Sequence, residues 1–151
     1  MSITVTILIA AALIAGYTDL RARRIPNWLT GGMVVYGLLL HSYRAGWSGF
    51  LLSWGGLAVG LGLMLIPYLL RGLGAGDVKF LAAVGSIVGA LGVLVVFALA
   101  TGLGAIMGAI ALHRKRTPEE QDQPARTPVS IPYGIALSFG TLLFTGLLIG
   151  R

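Results

Sequence analysis

Apolar residues run through this chain in long blocks, and polar positions interrupt them only briefly. Residues 3–18 form a first block, followed by a basic stretch, 19–27, that ends in Ile25-Pro26-Asn27. A second, shorter block covers 28–41. A small gap holding Arg44 and Trp47 separates it from a third block, 50–70, with Pro67 near its end. A glycine-rich turn, Gly72-Leu73-Gly74-Ala75-Gly76, then leads into Asp77. From 78 to 112 the chain stays apolar. A bilayer span takes about 20 residues, so this block is too long for one span and is expected to divide near 89–92. A polar segment, 113–128, carries Pro118, Pro124 and Pro128 and precedes a last apolar block, 131–150. The pattern predicts an all-α, polytopic membrane protein. It has about six transmembrane helices in one domain over 1–151, with 113–128 as a polar cytoplasmic loop.

Composition sharpens this. The chain is 56% hydrophobic and 11% charged, which leaves no room for a separate soluble domain. Cysteine is absent, so disulfides, thiol catalysis and Cys-based zinc sites are excluded. His41 and His113 lie far apart near span ends, so no metal site is expected. A net charge of +6 in a soluble protein would suggest nucleic acid. Here it reads instead as positive cytoplasmic loops, and no nucleic-acid partner is expected. An outside N-terminus and six spans put Arg21, Arg23, Arg24, Arg71, Lys79, Arg114, Lys115, Arg116 and Arg126 on the cytoplasmic side. Arg44 and Arg151 fall outside. A five-span reading would carry the basic residues of 113–128 outward, against that asymmetry. The apolar N-terminus has no preceding positive charge, unlike a signal peptide, and is expected to remain as the first span.

Only five carboxylates occur. Glu119, Glu120 and Asp122 share the polar loop, whereas Asp19 and Asp77 sit in apolar surroundings, where an acid costs free energy. Asp19 ends the first block and Asp77 opens the fourth, so the predicted topology puts both at one cytoplasmic membrane level. Each also has an ordinary explanation. Asp19 can pair with Arg21 or Arg23, although an acid at a helix C-terminus faces the negative end of the macrodipole. Asp77 can be a helix N-cap.

The flanking residues carry double readings too. Gly74 and Gly76 leave space beside Asp77 for an extended substrate strand, or form a plain turn. They do not match a phosphate-binding Gly-x-Gly-x-x-Gly. Lys79 can hold a carboxylate ionised or contact substrate backbone, or it can simply snorkel to the interface. Pro26 and Asn27 form the turn and cap opening the second span. Pro132, Tyr133 and Gly134 shape a pocket wall near the same surface, or start a helix with an interfacial aromatic. Gly56 with Gly60, Gly85 with Gly89, and Gly104 with Gly108 have the small-residue spacing that packs spans.

Three of these segments, in order, resemble a known family. Asp19-Leu20-Arg21-Ala22-Arg23-Arg24-Ile25-Pro26-Asn27 resembles the first catalytic segment of the type IV prepilin peptidases. Gly74-Ala75-Gly76-Asp77-Val78-Lys79 is similar to their second, Gly-x-Gly-Asp-x-Lys. Ile131-Pro132-Tyr133-Gly134 is similar to their Pro-aromatic-Gly element. Archaeal preflagellin peptidases and presenilin-type proteases share Gly-x-Gly-Asp, but Ile-Pro-Asn favours the pilin branch.

The resemblance implies an aspartic endopeptidase of the inner membrane with Asp19 and Asp77 catalytic and its active site facing the cytoplasm. Its substrate is a prepilin or pseudopilin precursor whose short basic leader is removed, usually after a glycine, and it needs no cofactor. Larger members also N-methylate the new terminus and carry an extra N-terminal segment, often with four metal-binding cysteines. Neither that segment nor any cysteine occurs in this sequence, so methyl transfer is not expected. The small size is similar to the peptidases of tight-adherence (Flp-like) pilus systems.

Two other classes compete. A small proton- or ion-coupled transporter would use Asp19 and Asp77 as coupling acids, but such acids usually lie near the membrane midplane. The absence of a long internal repeat also weakens it. A scaffold held by small-residue faces would need neither acid.

Overall fold

The computed structural model describes residues 3–22, 24–70, 74–114 and 133–150, with backbone alone for 107–114. Residues 115–132, with Arg23, Arg71, Gly72, Leu73 and Arg151, lie outside the described residues, and with them Pro132 and all of the expected 113–128 loop but its first two positions. The described residues form four α-helices: α1 (Ile3–Ala22), α2 (Asn27–Leu69), α3 (Ala75–Arg114) and α4 (Tyr133–Ile149). Three apolar helical stretches, Ile3–Ala22, Asn27–Leu69 and Ala75–Ile106, are long enough to cross a membrane, and α4 is a shorter apolar helix.

Helix α2 has 43 residues, and a straight helix of that length would run about 65 Å, twice the roughly 30 Å of a hydrocarbon core. The chain avoids this by breaking. Ala45 (φ −136°, ψ 17°) and Gly46 (φ 58°, ψ −133°) leave helical geometry, and glycine reaches the positive φ without steric cost. Helix α3 breaks in the same way at Gly89, with φ 77° and ψ 177°. The apolar block from 78 onward therefore divides at the start of the expected 89–92 window. Between the second and third blocks, by contrast, the expected loop is a kink of two residues within one helix.

Contacts show that both breaks reverse the chain. Along the first arm of α2, Asn27 meets Lys79, Met33 meets Ser86 and His41 meets Ile87, so this arm runs parallel to the start of α3. Along the second arm, Gly56 lies on Gly85 and Gly60 on Leu81 and Ala82, which is antiparallel. In the second arm of α3, Gly92 faces Phe144, Ala100 faces Gly140 and Thr101 meets Tyr133, so α4 runs antiparallel to it. Finally α1 lies antiparallel to α4, with Gly16 at Ser138 and Asp19 at Gly134.

A broken helix leaves carbonyls without their i+4 donors, and an apolar surrounding makes that costly. Ser53 Oγ donates to the Ser86 carbonyl at 2.7 Å, and His41 Nε2 donates to the Ile87 carbonyl at 2.8 Å. These bonds cap the α3 arm just before Gly89. His41 thus has a structural role.

The interior is made of small and polar residues as much as large ones. Ser53, Ser86, Thr141 and Thr145 are fully buried, while Leu39, Leu91 and Leu147 are exposed. Buried hydroxyls fold back onto their own helices, as Thr141 Oγ1 does onto the Leu137 carbonyl. An apolar exterior over such an interior suits a lipid surround. Trp47, Phe50 and Trp54 stack beside the α2 break, where a membrane–water interface favours aromatic rings.

The α2–α3 contact depends on absent side chains. A Cβ on Gly56 would overlap the Gly85 carbonyl, whereas one on neighbouring Gly55 would meet nothing within 4 Å. Gly56→Ala should therefore destabilise the protein by about 1–3 kcal/mol, the usual cost of overpacking. Gly55→Ala should change stability little. Reversible unfolding of both variants in detergent micelles checks this.

Candidate active site

Asp19 lies in the last turn of α1, one turn further into the helix than the 3–18 boundary implies. Helix α1 continues past it because nothing in Asp19-Leu20-Arg21-Ala22 breaks a helix. Arg21 points away, its guanidinium donating to the Tyr17 hydroxyl at 2.8 Å. The Asp19 side chain is only 8% exposed, with Oδ2 shielded from solvent. Its wall is Gly134: a Cβ there would stand 2.6 Å from Asp19 Cγ and Oδ2. Only a residue without a side chain leaves this place for the carboxyl group.

Asp77 is 7% exposed and sits in the first turn of α3. It is not the N-cap that its sequence context suggests. The helix starts two residues earlier, at Ala75, because the Asp77 carboxylate reaches back to the Gly74 N–H at 3.3 Å and the Asp77 N–H donates to the Gly74 carbonyl at 3.1 Å. This is the reciprocal half of a capping box, with the acid at the third helical position. One Asp77 oxygen is thereby held in place by backbone.

The two carboxyl groups come from helices that hardly touch, yet they lie close enough to interact electrostatically. Carboxyl groups brought near one another can share a proton. Such a pair can hold a water on its ionised member and donate a hydrogen bond from its protonated one, which is the equipment for hydrolysing an amide.

The neighbouring residues are arranged around this pair. Gly76 backs onto Ile25, whose N would be 3.3 Å from a Cβ at that position. Lys79 Nζ donates to Asn27 Oδ1 at 3.1 Å. These two contacts fasten the Ile25-Pro26-Asn27 stretch to the start of α3. Lys79 therefore serves as a strap between the two segments.

Pro26 is the residue preceding α2, and its carbonyl accepts from the Leu29 and Thr30 N–H groups. Asn27 is the first helical residue and gives no side-chain cap. Tyr133 opens α4, and its hydroxyl hydrogen-bonds Thr101 Oγ1 at 3.0 Å while its ring lies against Gly104. Ser138 and Gly16 pack together one turn deeper.

The description "Type IV leader peptidase family" belongs to the family profile that matches residues 6–109, more than half of the chain and both aspartate segments. The chain belongs to the type IV leader peptidase family. No curated protein and no solved structure matched it. As a leader peptidase with three helices able to cross a bilayer, it is a membrane protein. Tyr133 and Gly134 lie beyond the matched stretch, and the fold brings them back onto it.

Thr101 and Ser138 were not singled out from the sequence. Thr101 had a signal: it is the one residue with a polar side chain in the apolar run 90–112. Ser138 follows Gly134 by four residues, on the same helix face.

Because Gly134 touches the Asp19 carboxyl, Gly134→Ala should displace that group. Cleavage of a leader-bearing precursor should fall about 10- to 100-fold, the usual effect of misplacing a reacting group by about 1 Å. Gly146→Ala, whose Cβ would meet nothing within 4 Å, should cleave at the parental rate.

Proposed function

We propose that this leader peptidase is an aspartic endopeptidase of the inner membrane that removes the basic leader from type IV, Flp-like prepilins at the cytoplasmic surface. Asp19 and Asp77 form its dyad. The observation that carries the reading is the convergence of two buried aspartates from separate helices at one end of the helical bundle, in a chain of this family.

The mechanism follows from a shared proton. The ionised aspartate takes a proton from a bound water, and that water attacks the scissile carbonyl. The protonated aspartate polarises the carbonyl oxygen and then passes its proton on as the amide nitrogen leaves. Asp77, with one oxygen engaged by the Gly74 N–H, is restrained in orientation, as a group that must hold a reacting water should be. The route needs no cofactor.

Membrane placement fits the same reading. The breaks at 45–46 and 89 divide α2 and α3 into arms, and our reading takes these four arms, with α1 and α4, as six crossing segments. An outside N-terminus then puts both aspartates at the cytoplasmic face, the side where a cytosolic leader meets the membrane. The supporting roles proposed for Gly74, Gly76, Lys79, Pro26, Asn27, Tyr133 and Gly134 are to hold the two motifs in register and leave room for an extended substrate strand. The location of both acids at one end of the bundle also speaks against a transporter, whose coupling acids sit at mid-depth.

Asp19→Asn and Asp77→Asn should each reduce cleavage of a prepilin precursor by at least about 1000-fold, since each removes one half of an acid–base pair. Both variants should insert and unfold like the parent. Retention of ordinary turnover by either variant, in a gel-shift assay with purified enzyme, sinks the dyad.

A further inference from the structure

Helix α1 carries Asp19 and packs chiefly on α4, with little backbone approach to α3; it meets α2 through side chains, as where Thr4 Oγ1 and the Tyr36 hydroxyl hydrogen-bond at 3.1 Å, far from Asp19 along the helix. Asp77 belongs to α3, whose largest partner is α2. The separation of the two carboxyls is therefore not fixed by packing α1 on α3. At the level of the carboxyls it runs through α4, which packs broadly on both α1 and α3.

At the level of the carboxyls, α4 offers two adjacent residues. Gly134 lies against the Asp19 carboxyl group, and Tyr133 reaches the other way, to the second arm of α3. There the half-buried ring rests on Gly104, and its hydroxyl is bound by Thr101 Oγ1 at 3.0 Å. Deeper contacts, Gly140 on Ala100 and Gly92 on Phe144, are purely steric. Thr101–Tyr133 is the polar contact that sets the rotation and height of the first turn of α4.

We infer that Thr101 is a positioning residue of the peptidase site, which through Tyr133 and Gly134 holds Asp19 at its working distance from Asp77. The inference rests on the proposed aspartic mechanism. Thr101 touches neither carboxyl; it acts by fixing the residue next to the one that does.

Two measurements test it. Steady-state cleavage of a prepilin precursor by Thr101→Val should show kcat lowered about tenfold with KM changed less than about twofold. Thr101→Ser, which keeps the hydroxyl, should restore the parental kcat. Tyr133→Phe should reproduce the loss, and the double variant Thr101→Val/Tyr133→Phe should be no slower than either single one, because both remove one bond.

The second measurement does not need turnover. The chain has no cysteine, so spin labels at Leu20→Cys and Ala75→Cys report the α1–α3 separation alone. Thr101→Val should shift or broaden that distance distribution, and Thr101→Ser should not. An unchanged distribution, a parental kcat in Thr101→Val, or multiplicative losses in the double variant overturns the inference. A parent enzyme that leaves the precursor uncut counts against the proposed function instead, and the distance measurement then decides the positioning role by itself.

Discussion

Two carboxyl groups buried beside each other in an apolar bundle are the constraint to which the rest of this molecule answers. Each costs desolvation free energy. At Asp77 the structure meets that cost with backbone, and at Asp19 it supplies room. The Gly74 N–H holds one oxygen of Asp77, and the bare backbone of Gly134 admits the Asp19 carboxyl. Neither solution tolerates much movement. The helices that bear the acids must be kept in register by contacts elsewhere, and those contacts are glycine approaches and a few hydrogen bonds between side chains and backbone.

The two helix breaks serve the same end. At Gly46 and Gly89 the chain turns back, so that residues far apart in sequence return to the level of the aspartates. Breaking a helix exposes carbonyls, and the fold recruits His41 and Ser53 from α2 to satisfy those before Gly89. The far end of the first arm of α3 is thus tied to α2 by polar contacts, and the near end by Lys79 on Asn27 and Ile25 on Gly76. Helix α2 and this first arm of α3 form one body. Helix α1 meets that body at Thr4 and Tyr36 and packs chiefly on α4.

This arrangement assigns different work to the three segments that resemble the family. Ile25-Pro26-Asn27 belongs to the α2–α3 body, although it follows Asp19 closely in sequence. Its role is to brace the start of α3, and so Asp77. The Tyr133-Gly134 pair, remote from both acids in sequence, reaches the Asp19 carboxyl directly and lies within electrostatic range of Asp77. A segment's distance along the chain from an aspartate therefore says little about which aspartate it supports.

Much was legible before any coordinates. Block lengths against bilayer thickness predicted helices, the split near Gly89 and a reversal between 41 and 50, because a span has a physical length. The scarcity of acids singled out Asp19 and Asp77, because an unexplained carboxyl in apolar sequence is expensive. Spacing within one helix could not say more. The turn of helix beyond 18, the shift of Asp77 from cap to third helical position, the diversion of Lys79 to Asn27 and the part played by Thr101 all depend on what lies opposite. Partner identity comes from the packing of separate helices, and chain periodicity carries no record of it. Sequence alone settled which groups are costly and how long each helix can be; the tertiary structure decided which backbone and which hydroxyl bear that cost, because only folding brings remote residues within contact distance.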